Sequence, residues 1–520
     1  MATSAATPVR DGDRYRPPVF TGLSDLLGRP VRTRPDAPAL VATGDRVPLS
    51  YRRLAALAHE TADALIAAGL RRGDVIGLAA PNTVEFVVAL LGAARAGLVT
   101  APLDPTLPAS QLELRKAELG ARVVLASERG AVPVAGWTLR VEAGTDRIEL
   151  RTAPLARRPS PGAAGDLSPD DALVLFTAGT MGRARMVPLT QANVAASVRG
   201  ICATYELGPD DTTVAVMPFF HGHGLFATLL STLACGGCVL LPEGGRFSAA
   251  TFWDDLRAAD ATWFTAVPTV HETLLDRSET QDPGPHPPPL RFVRSCGAPL
   301  NAATQRALER MFGAPLLSAY GTTESAHQVS SEPLPRRGPL KHGGVGRAAG
   351  VRLRVVDRQG RVCPAGVRGE VWVQGPTVAR GYLAEPEGTA RGFTDDGWLR
   401  TGDLGSLDED GCLSLAGRIE SLIVRGGRTI SPEYVEDVLA GCPAVAEAAV
   451  FAVPDAVEGQ RVRAAVVLRA EECTGPREVL RFCHDRLAAF AVPDRIVPVA
   501  ALPRTAQGGL DRLAVRDLYA

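Results

Sequence analysis

The stretch "LFTAGTMGRARMVPLT" (175–190) gathers glycine, hydroxyl and guanidinium groups directly after a short apolar run. Gly179 and Gly182 let backbone amides turn toward an anion, Thr177 and Thr180 supply hydroxyls, and Arg183 and Arg185 supply charge. That is the chemistry of a phosphate cradle; the plain alternative is a glycine turn on a basic surface. It is not a Walker A loop, because the G-x-x-x-x-G-K-[ST] spacing is absent. "SAYGTTES" (318–325) sets Tyr320, Gly321, Thr322, Thr323 and Glu324 in a row. A carboxylate at a strand end could hold Mg²⁺ beside phosphates, since that ion takes one or two carboxylates plus substrate oxygens. Otherwise Glu324 is a solvated charge in a polar turn. "WLRTGDLG" (398–405) and "GRIES" (417–421) contribute Asp403 and Arg418. A carboxylate accepting two ribose hydroxyls orients a nucleotide; taken singly, either residue is a turn or surface charge.

The elements that must position these groups alternate between helical and strand patterns. "YRRLAALAHETADALIAAGL", "TVEFVVALLGAARAG" and "ASQLELRKAELG" carry apolar residues at helical spacing. "DVIGLAA", "LVTAPLD", "ARVVLAS", "DALVLFTAG", "DTTVAVMPF" and "CVLLPE" are short buried strands. Such alternation predicts an α/β fold with largely parallel sheets. Loops rich in Pro and Gly are expected between Arg151 and Asp171 and over 281–290. From about Val351 the rhythm becomes β-rich, with "VRLRVVD", "GEVWVQG" and "GCLSLAG" separated by turns. After residue 421 a small α+β segment follows. The expected architecture is a large N-terminal domain of two α/β subdomains and a β-rich subdomain, then a small mobile α+β C-terminal domain. Boundaries are placed at 1–18 (a disordered leader), 19–417, a hinge at 418–421, and 422–520.

A chain of 520 residues exceeds one core of ordinary size. With 46% hydrophobic and 22% charged residues it reads as globular, and a net charge of −1 argues against a nucleic-acid footprint. Nine cysteines lie scattered without C-x-x-C pairs, as in a reduced, cytoplasmic protein. The first residues lack an apolar signal core, and apolar runs break before membrane-spanning length. Of the 56 basic residues only Lys116 and Lys341 are lysines.

Taken in order, the phosphate-type loop, "PFFHGHGL" (218–225), "SCGAPL" (295–300), "YGTTE" (320–324), "GEVWVQGP" (369–376), "RTGD" (400–403) and "GRIES" resemble the adenylate-forming superfamily of acyl-CoA synthetases, luciferases and peptide-synthetase adenylation domains. The resemblance runs from about Gly22 to the end. "VPLTQANVAASV", "ATWFTAVPTVHETLLDR" and "RFVRSCGAPL" look most like its oxalyl-CoA synthetase branch. The resemblance implies an AMP moiety (from ATP or acyl-AMP), Mg²⁺ and coenzyme A as ligands, and a small carboxylic acid as substrate. It implies that Thr177, Gly179, Thr180, Gly182 and Arg185 cradle the β- and γ-phosphates, and that Glu324 holds Mg²⁺ with Thr180 nearby. Thr323 would contact the α-phosphate, and Asp403 and Arg418 the ribose. His221, Gly297, Ala298, Tyr320, Gly321 and Thr322 would line the acyl and adenine faces. Glu420 would sit at the hinge, and Gly426 and Gly427 would lie in the loop that swings in for thioester formation.

The sequence also departs from that pattern. The family's loop usually reads T-S-G-T-T-G-x-P-K-G; here Ala178, Met181, Ala184, Arg185 and Met186 replace Ser, Thr, Pro, Lys and Gly. Its C-terminal P-K-T-x-S-G-K motif becomes "PRTAQGG", which puts Gly509 in the place of a lysine that spans carboxylate and α-phosphate. No lysine follows Lys341; Arg504 or Arg512 would have to shift register to substitute. Losing such a charge costs a few kcal/mol, about two to three decades in rate. The expectation is an acyl-activating enzyme specialised for moving a preformed acyl group from acyl-AMP, made by a partner enzyme, to a thiol. An ordinary slow ligase, a ligase with an amine or carrier-protein acceptor, and a non-catalytic scaffold remain open.

Overall fold

The computed structural model describes residues 15–42, 48–127, 137–142, 147–153, 155, 166–177, 184–277, 288–426, 428–455, 457–469, 475–504 and 509–520. Four sheets organise them. The first has seven strands, in which Val75–Ala79, Val99–Leu103, Val123–Ser127 and Trp137–Glu142 run parallel. Asp171–Phe176 joins it parallel and folds back antiparallel onto Met186–Thr190. The second has nine strands, with a parallel centre that includes Cys238–Leu241, Thr212–Val214, Trp263–Ala266, Phe292–Cys296 and Leu316–Tyr320. The expected α/β architecture is the one observed.

Both sheets bury one face on shared helices. Leu40 and Val239 from one sheet and Ile76 and Leu173 from the other meet in a single core with Val87, Val198 and Phe226. Each fully buried aliphatic side chain contributes roughly 1.5–3 kcal/mol, so this interlayer holds the two sheets in fixed relation. The helix Gln191–Tyr205 illustrates how. Thr190 caps it, its Oγ1 accepting from the Asn193 amide at 3.1 Å while Asn193 Oδ1 accepts from the Thr190 amide at 2.9 Å. Val194, Val198, Ile201 and Tyr205 then fall on one buried stripe.

Sequence periodicity missed one element. His223–Leu230 is a π-helix whose eight residues are all buried. Gly224 permits it, since a Cβ there would stand 2.3 Å from the Pro218 carbonyl oxygen. A run buried on every side carries no 3.6-residue stripe to read. The loops expected at 151–171 and 281–290 fall largely outside the described residues.

A four-stranded antiparallel sheet (Arg352–Val356, Gly369–Gln374, Leu399–Leu407, Leu413–Arg418) follows. A turn at Ile419–Ser421 leads from it into the last, five-stranded sheet, whose core includes Ile423, Val435, Val450, Val462 and Val479. Across that turn, Ser431 Oγ donates to the Ala416 carbonyl oxygen at 2.6 Å and caps the helix Pro432–Ala440 through the Tyr434 amide. Of the residues assigned to the hinge, the backbone of 418–421 is described; the Glu420 side chain is not.

Candidate active site

In open parallel sheets, ligands bind beyond the carboxyl ends of the strands. Three strands of the nine-stranded sheet deliver candidates there, the first separated from the other two by Trp263–Ala266. Thr212–Val214 leads to His221, Phe292–Cys296 to Gly297 and Ala298, and Leu316–Tyr320 to Gly321, Thr322, Thr323 and Glu324. Gly297 and Ala298 are exposed, and Gly297 has φ +102°, a conformation glycine tolerates. Gly321 is demanded by contact: a Cβ would lie 1.3 Å from the His327 carbonyl oxygen. Thr322 caps the one-turn helix Thr323–Ser325, its Oγ1 accepting from the Ser325 amide at 3.2 Å.

Glu324 is partly exposed, and its Oε1 accepts from Tyr382 Oη at 2.7 Å. Arg185 lies 5.0 Å over the Tyr382 ring, and its Nε stands 3.5 Å from Glu385 Oε2. Thr177 and Arg185 clasp the base of the phosphate-type loop. The Thr177 amide donates to the Arg185 carbonyl at 2.9 Å, and Thr177 Oγ1 accepts from the Arg185 amide at 3.0 Å. Gly179, Thr180 and Gly182, with Ala178, Met181 and Arg183, lie outside the described residues. One accessible carboxylate beside a phosphate-type loop suits Mg²⁺, which completes its shell with water and phosphate oxygens.

Asp403 and Arg418 are partners across adjacent antiparallel strands. Asp403 Oδ1 accepts from Arg418 Nε at 3.0 Å, and Oδ2 accepts from Tyr320 Oη. Burial raises the Asp403 carboxyl above its usual range, with Arg418 and Tyr320 opposing. Burial, then the Asp403 charge, pushes the Tyr320 hydroxyl well up. Tyr320 thus joins the cleft through its hydroxyl, which touches the carboxylate. His221 Nδ1 accepts from the His223 amide at 3.3 Å, and burial lowers the pKa of its ring.

Gly426 is not brought to this cleft. It is exposed at the tip of the hairpin Ile423–Arg425/Arg428–Ile430, with φ +54° and its amide on the Glu458 carbonyl at 2.9 Å. Gly427 lies outside the described residues. Near the other end, the Asp511 amide donates to the Pro503 carbonyl at 2.9 Å and Arg504 bridges Leu510, closing the loop that carries half-buried Gly509. Arg504 pairs with Glu447 at 2.7 Å; Arg512 pairs with Glu436 at 2.6 Å and Glu433 at 3.3 Å. Both arginines are committed to carboxylates. Glu447 and Arg504 also act electrostatically on Glu272 of the helix Pro268–Asp276, whose carboxyl is raised chiefly by burial.

Two residues of this region went unread in the sequence. Tyr382 has a neighbouring glycine as its only local signal, and its tie to Glu324 spans 58 residues. Arg294 sits within "RFVRSCGAPL" as one arginine among many, yet it is wholly buried.

This assembly of a nucleotide-type cleft on an α/β core, followed by a small C-terminal unit, defines an adenylate-forming enzyme. The family model described as AMP-binding enzyme matches residues 27–383, and that of the AMP-binding enzyme C-terminal domain matches 434–508. An oxalate–CoA ligase of Arabidopsis thaliana is 41% identical over 509 residues, covering 96% of this chain and 98% of that protein. A sulfoacetate–CoA ligase of Cupriavidus necator is 36% identical over 510 residues, with 96% and 98% covered. ATP-bound MatB from Rhodopseudomonas palustris superposes with a TM-score of 0.83 at 29% identity, covering 96% of this chain and 99% of that one. The chain belongs to the AMP-binding enzyme family, and within it to the acyl-CoA synthetases. Among the described residues, no helix is long and apolar enough to cross a membrane.

Proposed function

We propose that this acyl-CoA synthetase joins a small carboxylic acid to CoA by way of an acyl-adenylate, and that it is specialised for the second half of that sequence. In that half the CoA sulfur attacks the acyl carbon of the mixed anhydride. A C–S bond forms, the bond to the phosphate oxygen breaks, AMP leaves, and the thiol proton passes to solvent. The observation that carries the specialisation is the state of the 502–512 loop: glycine stands at 509, and Arg504 and Arg512 are both held by carboxylates. A charge missing opposite the α-phosphate slows adenylate formation and leaves thioester formation untouched.

The remaining residues would act as follows. Thr177 and Arg185, with Gly179, Thr180 and Gly182, would receive the phosphate chain. Glu324 and Thr180 would hold Mg²⁺, which supplies charge neutralisation when bound. Thr323 would contact the α-phosphate. Asp403 would accept the ribose hydroxyls beside Arg418, oriented by Tyr320. His221, Gly297, Ala298, Gly321 and Thr322 would shape the acyl and adenine faces, with glycines leaving room there. Gly426 and Gly427 would approach the cleft in a second domain arrangement, about a hinge at 418–421, when CoA binds. The relatives named for oxalate and sulfoacetate handle small acids with a second anionic group, which favours that substrate class here. The acyl-AMP would come from a partner adenylating enzyme.

Two assays test this. ATP–pyrophosphate exchange across a panel of acids should sit near background, while synthetic acyl-AMP plus CoA should give thioester. Gly509→Lys should raise exchange by roughly two decades. Robust exchange in the wild type would favour an ordinary ligase doing both halves, and no thioester from acyl-AMP would favour a scaffold. Consumption of acyl-AMP only with an amine or carrier protein would move the acceptor.

A further inference from the structure

Arg294 is 0% exposed in the strand Phe292–Cys296, and its N–H groups all find partners. Nε donates to Tyr205 Oη at 2.8 Å. Nη1 donates to Thr265 Oγ1 at 3.1 Å and to His223 Nε2 at 3.1 Å. Nη2 donates to His327 Nε2 at 3.0 Å and to Gln328 Oε1 at 3.3 Å. Every one of these partners is uncharged, and among the described residues Arg294 has no ion pair. The Cys296 thiol is a further polar contact of the guanidinium. Burying a cation without an anion is costly, so this strand carries a charge that no carboxylate among the described residues neutralises.

The position of that charge says what it serves. The His223 and His327 rings stack at 5.1 Å and 22°, side by side on the guanidinium. The same histidines border the cleft: the His223 amide donates to His221 Nδ1, the His327 carbonyl backs Gly321, and a Cβ on Gly222 would lie 3.7 Å from His327 Cβ. Because a guanidinium only donates, both Nε2 atoms must accept, which leaves each neutral ring its single proton on Nδ1. These contacts set two neutral imidazoles, each with its proton on Nδ1, and a buried positive charge directly behind the backbone of Gly222 and Gly321, next to the positions assigned to the acyl group.

We infer that Arg294 is the positioning residue that makes this cleft select acids bearing a second anionic group, by fixing the tautomers of His223 and His327 and by supplying the buried charge. The inference rests on the adenylate reading of the cleft. Two inert acyl-sulfamoyl adenosines of matched size, malonyl and 3-methylbutanoyl, separate the possibilities by calorimetry on the full chain, without any turnover. The wild type should bind the malonyl analogue more tightly by roughly tenfold or more, because a charge interaction at low dielectric exceeds that factor. Arg294→Gln should bring the two dissociation constants to within about threefold by weakening the malonyl analogue, and Arg294→Lys should keep part of the preference. Equal weakening of both analogues would mark Arg294 as merely structural and overturn the inference, as would a wild type without preference. If the wild type bound neither analogue, the adenylate reading itself would fall and take the inference with it. Should the glutamine variant not fold, long-range ¹H–¹⁵N spectra of the wild type still decide. Nδ1–H tautomers at His223 and His327 are required, and Nε2–H at both would overturn the assignment.

Discussion

Glu324 shares one oxygen with Tyr382, and the same tyrosine ring carries Arg185 on its face, so a single phenol links the loop proposed for the phosphates to the carboxylate proposed for the cation. Removing the hydroxyl should leave Glu324 free to rotate. Tyr382→Phe is expected to lower the rate of adenylate formation about tenfold, the worth of one hydrogen bond to a charged group, with little change in thioester formation from acyl-AMP. Rapid-quench measurement of each half-reaction checks this. Asp403 makes a second prediction. Its carboxyl is raised by burial, so it takes up a proton at higher pH than an ordinary carboxylate, and in its proposed role it could then no longer accept both ribose hydroxyls. Affinity for AMP should therefore fall as the pH drops, beginning above the usual carboxylate range. Asp403→Asn should remove that dependence and weaken binding by about 1.5–3 kcal/mol at neutral pH. A pH series of AMP titrations on both proteins decides it. At this scale the sequence was most informative where a motif keeps its chemistry within a few positions, as in the turn holding Gly321 to Glu324. Tyr382 and Arg294 escaped because their partners lie far away in sequence and neither residue type is rare here.

Among the elements, the turn after Leu316–Tyr320 is the least forgiving. Gly321 passes so close to the His327 carbonyl that any side chain must push one backbone segment off the other. Gly321→Ala should cost at least about 3 kcal/mol of stability, the range reserved for strain at a special backbone position. Denaturant unfolding followed by tryptophan fluorescence would measure it; a loss under about 1 kcal/mol would mean that the turn relaxes. The helices and strands themselves were largely legible. Apolar spacing anticipated Tyr51–Ala67, Val84–Arg95 and Ala109–Leu119, because a helix with one buried stripe writes its period into the chain. "DTTVAVMPF" formed a strand over Thr212–Val214 alone, and His223–Leu230 became a π-helix. Burial on all sides erased the period of the π-helix, and the packing of Gly224 against Pro218 fits its geometry.

For the whole molecule, the contact across the Ile419–Ser421 turn matters most. Ser431 caps the first helix of the C-terminal unit and at the same time donates to the Ala416 carbonyl of the preceding sheet. One hydroxyl thereby favours the arrangement in which Gly426 faces solvent. Ser431→Ala should weaken that arrangement by about 1 kcal/mol, enough to change the ratio of the two half-reactions severalfold. Pyrophosphate exchange and acyl-AMP turnover measured on the same preparation would reveal it; unchanged ratios would mean the hydroxyl only caps the helix.

Lys341 is held between Asp408 and Asp410, at 2.5 and 2.7 Å, and apart from Lys116 it is the only side-chain amine in the chain. Acyl-adenylates acylate unprotonated amines. A protein that keeps such an anhydride bound for long periods is exposed to its own ligand as an electrophile. Here one amine is pinned as an ammonium by two carboxylates, and position 509, where a lysine would stand against the anhydride, has no side chain at all. On the proposed reading, the glycine that would slow activation would also take an amine away from the anhydride, so slow activation and resistance to self-acylation would share one origin.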